Sequence, residues 1–201
     1  MSIQNNLEGE LPDEYHEISQ TLHSVDLILS NAVDNAKTLF HTLAVSSIDN
    51  NKVATRIMVL REFNLKERYL RFHTDYRAAK IDHYKNNNSA SVLGYDPKLK
   101  IQIKLQGTIS VHYHDDLTRT AWESSTTRSK KCYSVKGGST LKISDPKEFD
   151  LKDGNIEDGY MNFAVLNFSC DRLEFLHLIS SGHRRALHSW KKSLESTWLV
   201  P

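Results

Sequence analysis

Two hydrophobic periods alternate along the chain, and each change of period marks an element. In residues 17–36, Leu22, Val25, Leu29, Ala32, Val33 and Ala36 recur at steps of three and four, the repeat of one apolar helical stripe. The period then falls to two. "TLFHTLAVSSI" reads as a strand closed by the turn "DNN", and "KVATRIMVLREF" and "YLRFHTD" as two more strands joined by "NLKER". Residues 77–86 carry a short helical pattern stopped by Asn86, Asn87 and Asn88. "ASVLGY" and "LKIQIKLQGTISVHY" resume the strands around the turn "DPK", and residues 115–124 form a helix with Asp115 as its cap. Residues 129–159 are rich in glycine and show no sustained period, which predicts a long loop of the kind that often carries function. "MNFAVLNF", "RLEFLHLI", "HRRALHSW" and "STWLVP" close the chain as strands. Residues 1–14 read as a flexible arm and 15–201 as one domain. Six or more antiparallel strands with few peripheral helices predict a mainly β (α+β) barrel, not a doubly wound sheet.

Composition narrows the function classes. Hydrophobic residues make up 39% and charged residues 25%, ordinary for a globular chain. A formal charge of +1 gives no global attraction for nucleic acid or an anionic membrane, so any anion site must be local. No apolar run approaches the ~20 residues of a membrane span. The polar, acidic start is unlike a signal peptide, and Cys132 and Cys170 match no metal spacing; reduced thiols in the cytoplasm are expected. His112 and His114 alternate on one strand and His183 and His188 stand five apart, but none joins a ligand cluster, so no metal is expected. Serine, histidine and aspartate are plentiful without an elbow motif, which supports a hydrolase only weakly. Trp122 on a helix reads as core, Trp190 and Trp198 as core or interface.

In "HTDYRAAKIDHYKNN" strand gives way to helix, with Arg71, Arg77 and Lys80 around the switch. Helical spacing puts Arg77 and Lys80 on one side, and Arg56 sits among apolar residues in "ATRIMVL". Two readings stay open. The set holds a phosphate monoester with help from the helix start and the Thr74 hydroxyl. Alternatively, Arg77 and Lys80 are a solvated face and Arg56 pairs with a carboxylate.

"TRIMVLREF", "FHTDYRAAKIDHYKNN", "DPKLKIQIKLQG", "RSKKCY", "GHRRALHSW" and the final "WLVP" resemble, in this order, the pyridoxamine 5'-phosphate oxidase-like flavoproteins, which bind FMN in a split β-barrel. The resemblance covers residues 38–201 and is nearest to a branch of mostly undefined substrate. It implies that Arg56 and Lys80 bind the FMN phosphate, with Arg77 standing in for an arginine whose usual place is Ala79. It implies that His73 and Thr74 line the ribityl phosphate, and that the strand of Arg56, Ile57, Met58, Val59, Leu60 and Arg61 runs beside the flavin ring. Gln102 and Arg185 match residues that reach the ring, which implies a homodimer with flavin sites at its interface. Arg61, Arg128 and His183 would face substrate. By alternation alone Gln102 is equally an exposed strand residue, and the basic run at Arg128 equally a solvated loop.

The function implied is an FMN-dependent oxidoreductase acting on an undefined small molecule. A non-catalytic flavin carrier or sensor, and a binder of another planar cofactor such as haem or a deazaflavin, are the alternatives. The vitamin-producing oxidases of the family carry an arginine where this chain has Ser181, which predicts poor turnover of pyridoxamine or pyridoxine 5'-phosphate.

Overall fold

The structure, a computed structural model, describes residues 7–150 and 156–201. Helix α1 (Ile18–Asp34) begins at a capping box in which Glu17 and Gln20 satisfy each other's backbone N–H groups. Its buried stripe includes Thr21 and Ser24 beside Val25, Ile28, Leu29 and Ala32. The polar members are tolerated because both are bonded. Tyr15 Oη donates to Ser24 Oγ at 2.9 Å, and Thr21 Oγ1 lies 2.8 Å from His188 Nε2. Strands β1 (Thr42–Asp49), β2 (Lys52–Asn64), β3 (Tyr69–Asp75), β4 (Ser89–Asp96), β5 (Ile101–His112), β6 (Phe163–His177), β7 (Arg184–Trp190) and β8 (Leu194–Leu199) pair antiparallel in the order β3-β2-β1-β4-β5-β6-β7-β8. A further β3–β6 pairing closes β1 to β6 into a six-stranded barrel, and β7 and β8 continue the sheet outside it.

The split occurs within β6. Its first half pairs with β3 and its second half with β7, along the same edge. The change falls at a bulge where Gln106 faces Arg172 and Gly107 faces Cys170. Only glycine fits there, since a Cβ on Gly107 would lie 1.9 Å from the Ser169 carbonyl oxygen. The sequence divides β6 into two strands, "MNFAVLNF" and "RLEFLHLI"; the bulge bends it without ending it.

Other boundaries shift for local reasons. Helix α2 spans Lys80–Asn86, so Arg77 lies before it. The Asp75 carboxylate accepts the Arg77 N–H at 2.8 Å and holds a turn where the helix was expected to begin. Helix α3 (Asp116–Ser124) has the expected Asp115 cap. The loop expected from 129 contains the end of helix α4 (Thr127–Lys131), whose Thr126 cap accepts the Ser129 N–H at 3.2 Å. Residues 39–41 form a 3-10 turn before β1. The expected arm is only partly described: residues 1–6 lie outside the described residues, while Leu7 and Leu11 pack on the core and Tyr15 is fully buried.

Pairing assigns side chains to the two sheet faces. Arg56 stands opposite Val45, in a row continued by Val92, Leu105 and Leu173, so it points with the core residues into the barrel end. Ile57, Leu93, Tyr95, Gln102 and Arg185 belong to the outer face. Three of them, Ile57 at 66%, Leu93 at 39% and Tyr95 at 44% exposed, leave an apolar surface uncovered in one chain. Trp122 is core, in a small cluster with Phe163 and Val165. Among the described residues no helix is long and apolar enough to cross a membrane.

Candidate functional site

Arg56 and Lys80 approach each other at the barrel end. Arg56 Nη1 donates to Ser47 Oγ at 2.8 Å, to the Val45 carbonyl at 3.3 Å and to Tyr84 Oη at 3.4 Å. Among the described residues all of its hydrogen bonds run through that one nitrogen, leaving Nε and Nη2 for another partner. Lys80 Nζ donates to the buried Thr74 Oγ1 at 3.1 Å. Burial pushes the Lys80 pKa down and the Arg56 charge pushes it further, while Asp75 acts in the opposite direction. Among the described residues neither cation forms an ion pair with a carboxylate. Two cations held close in a half-buried corner suit an anion with several acceptor oxygens.

Asp75 would repel such an anion were it not neutralised. Arg77 grips it with Nε at 2.9 Å from Oδ1 and Nη2 at 2.6 Å from Oδ2, and that pair strengthens the guanidinium's hold on its proton. The same Nη2 donates to the Val135 carbonyl at 3.0 Å. Gly138 then passes so close that a Cβ would lie 2.7 Å from the Arg77 carbonyl oxygen. Thr74, Asp75 and Lys80 form one wall of a cavity of about 460 Å³, and Cys132, Tyr133 and residues 135–141 with Ile143 and Phe149 form the other. Arg77 therefore fastens the opposite wall, and Arg71, the third basic group near the switch, is paired with Glu62.

A second cavity of about 280 Å³ lies on the other side of β3, lined by Arg61, Arg71, His73 and the hydroxyl residues Ser124, Ser125, Thr126 and Ser129. Burial, then the charges of Arg61 and Arg71, push the His73 pKa down to about 4, so the ring is neutral near pH ~7. Tyr133, on the wall of the first cavity, has its phenol pushed up to about 12 by burial, against an opposing pull from Arg61. Arg61 owes its aim to a bulge in β2, where the register with β3 shifts between Leu60 and Glu62.

The remaining expected site residues scatter. Met58 and Leu60 are buried, Val59 is half-buried, and Ile57 is exposed on the outer face. Gln102 and Arg185 share one row of that face, both in register with Leu176. Arg185 Nε is buried without a hydrogen-bond partner among the described residues. Arg128 is exposed on α4, His183 Nδ1 accepts the Ile179 N–H at 3.2 Å, and neither is among the residues lining these two cavities. Ser47, Tyr84, Asp75 and Tyr133 are contributors that sequence reasoning missed. Asp75 and Tyr84, inside "FHTDYRAAKIDHYKNN", and Tyr133, inside "RSKKCY", stood in motifs that carry the resemblance, whereas Ser47 had no such signal. Among the described residues no group of three His, Cys, Asp or Glu side chains stands ready to hold a metal ion.

Comparison with known proteins agrees with this architecture. Residues 23–113 match the family model "Pyridoxamine 5'-phosphate oxidase, FMN-binding domain". The match covers a little under half of the chain, and the whole described fold is that of a split barrel. A pyridoxamine 5'-phosphate oxidase-related, FMN-binding protein from Nostoc punctiforme is 18% identical over 89% of this chain and 96% of its own, with a TM-score of 0.73. PhzG from Burkholderia lata, solved with tetrahydrophenazine-1-carboxylic acid, is 14% identical over 95% of this chain and 99% of its own, with a TM-score of 0.76. No curated protein matches the sequence.

Proposed function

We propose that this chain belongs to the pyridoxamine 5'-phosphate oxidase-like family, binds FMN and acts as an FMN-dependent oxidoreductase on a small molecule other than pyridoxamine or pyridoxine 5'-phosphate. The observation that carries the reading is the corner itself: two half-buried cations, Arg56 and Lys80, with spare donors and no carboxylate partner, beside the Thr74 hydroxyl. The donor chemistry fits the phosphate of FMN, and the unpartnered Arg185 Nε fits a carbonyl acceptor such as a flavin ring offers. FMN, when bound, supplies the hydride or electron transfer. The chain's own residues bind and orient. Arg56, Lys80 and Thr74 hold the phosphate, while Arg77 acts through Asp75 and Val135 to keep the facing wall in place. Arg61 presents a positive charge to an anionic substrate group, beside the neutral His73.

The two faces of the sheet support a homodimer. Gln102 and Arg185 point outward while Arg56 points into the barrel end, so one chain does not present them to the same ligand. A second copy, docked on the apolar patch of Ile57, Leu93 and Tyr95, would bring its Gln102 and Arg185 to the first chain's flavin. Arg128 and His183, outside the cavities of their own chain, would meet substrate only in that assembly.

The choice of substrate rests on Ser181. Its Oγ donates to Glu14 Oε1 at 2.9 Å and offers no charge. The neighbouring Arg184 does not replace the missing arginine, because its Nη1 is tied to the Gly182 carbonyl at 2.7 Å and its Nε to the Tyr15 carbonyl at 3.3 Å. Flavin content of wild type against Lys80→Ala, followed by anaerobic reduction with NADPH, tests the reading. The variant is expected to lose its flavin and the wild type to bleach. A fully loaded Lys80→Ala protein would remove the phosphate assignment, and a wild-type flavin that no nicotinamide reduces would favour a carrier.

A further inference from the structure

A second constellation lies at the far end of β5, away from the corner. Ser110 and His112 stand two apart on that strand, so their side chains share a face. Ser110 Oγ is 3.1 Å from His112 Nε2, and His112 Nδ1 is 2.8 Å from Asp115 Oδ2. The carboxylate is held by the start of α3. Asp115 Oδ1 accepts the Thr118 N–H at 2.9 Å, and the Asp115 N–H donates to Thr118 Oγ1 at 2.9 Å. Partial burial raises the Asp115 pKa, but the bonds from Thr118 and His112 outweigh it and leave the carboxyl below its usual range. An ionised Asp115 accepts a hydrogen bond from His112 Nδ1–H, which fixes the tautomer whose Nε2 lone pair faces the Ser110 hydroxyl. The competing acceptor for that hydroxyl, the Asn167 carbonyl, is farther away at 3.4 Å.

Ser110 and Val111 line an open cleft of about 610 Å³ between β5 and residues 84–88. Strand β4 begins at Ser89, opposite Thr108, so β5 beyond Thr108 has a free edge on that side. The Ile109 N–H leaves this edge and donates to the Asn88 carbonyl at 2.8 Å. Backbone N–H groups two apart on a strand share an edge, so the Val111 N–H also points there, one residue after the hydroxyl. Asn86 and Asn88 line the same cleft with side-chain amides. A nucleophile, a base, an orienting carboxylate and a donor for a developing oxyanion thus stand together.

We propose that Ser110, His112 and Asp115 form a serine-hydrolase site that cleaves small carboxylic esters. Ser110 Oγ attacks the ester carbonyl carbon while its proton passes to His112 Nε2. The tetrahedral oxygen, facing the Val111 N–H, re-forms the carbonyl as the C–O bond to the leaving alcohol breaks, and His112 Nε2 gives that alcohol its proton. Water then attacks the acyl-serine, giving its proton to His112, and collapse releases the acid and restores Ser110. No oxidant or reductant takes part, and the site is independent of the flavin reading. Ser110 and His112 are catalytic residues, and Asp115 is a positioning residue.

The probe is p-nitrophenyl acetate with the full-length protein. Ser110→Ala and His112→Ala are each expected to lower hydrolysis about tenfold or more while flavin content stays the same. Asp115→Asn, which keeps the Thr118 cap, is expected to lower kcat with KM unchanged. Diisopropyl fluorophosphate should add to the peptide carrying Ser110 in wild type and not in Ser110→Ala. Ser110 is exposed, so its alanine variant is expected to fold, with a thermal melt as the check. Wild type hydrolysing no faster than Ser110→Ala, or labelling at another residue, would overturn the proposal.

Discussion

Replacing Arg56 with methionine separates ligand binding from folding at the anion corner. Methionine keeps most of the apolar stem and removes the guanidinium. In the apoprotein three hydrogen bonds through Nη1 disappear, two of them long at 3.3 and 3.4 Å. Each such bond contributes about 0.5–1.5 kcal/mol at most, and the mutual repulsion with Lys80 disappears with them. The two effects oppose, so apoprotein stability should change by only about 1 kcal/mol. Binding has no such offset. A lost charge-assisted bond to phosphate costs about 1.5–3 kcal/mol, which is roughly a 10- to 150-fold weaker Kd for FMN. Quenching of FMN fluorescence by the apoprotein measures the first quantity, and urea unfolding of the apoprotein the second. An unchanged Kd would refute the assignment. A fall in affinity matched by an equal fall in stability would show that Arg56 serves the fold and not the ligand.

Three further outcomes follow from buried groups. Burial pushes the His188 pKa down to about 4, whereas the unfolded side chain titrates near ~6.5, so the unfolded chain takes up its proton first. The stability from neutral His188 is full above pH ~6.5 and is lost as pH falls toward 4, by about 2 kcal/mol at pH ~5; His188→Gln should flatten the pH slope of urea midpoints, leaving the share due to His73. Gly107→Ala forces a Cβ to within 1.9 Å of the Ser169 carbonyl, which should cost more than ~4 kcal/mol or prevent soluble expression. Cys132 is exposed, while burial pushes the Cys170 thiol up to about 12; Ellman's reagent should therefore titrate Cys132 in the native protein and Cys170 only after denaturation.

Periodicity revealed most of the strands and helices α1 and α3, because long runs of period two or 3.6 survive tertiary packing. It failed where a single residue overrides the pattern. Gly107 lets β6 bend without ending, and Asp75 captures the Arg77 N–H and delays α2. Hydrophobic spacing leaves the buried Thr21 and Ser24 out of the α1 stripe, because their partners, His188 and Tyr15, are not part of that spacing. The site was legible to the same degree. Basic residues near a strand-to-helix switch, and the order of the family's motifs, marked Arg56, Thr74 and Lys80. Spacing could not show that Arg77 is committed to Asp75 and Val135, since one partner lies two residues away and the other 58. It also concealed the Ser110, His112 and Asp115 group, whose short spacing matches no hydrolase signature and whose geometry depends on the α3 cap.

The central claim is that the corner of Arg56, Thr74 and Lys80 holds the phosphate of FMN. The visible absorption spectrum of freshly purified protein tests it most directly, taken with the flavin released on denaturation and identified by chromatography. The two-banded spectrum of oxidised flavin is expected, with FMN in a one-to-one ratio with the chain. A colourless protein whose fluorescence titration shows no uptake of added FMN, or a chromophore that proves to be haem, would contradict it.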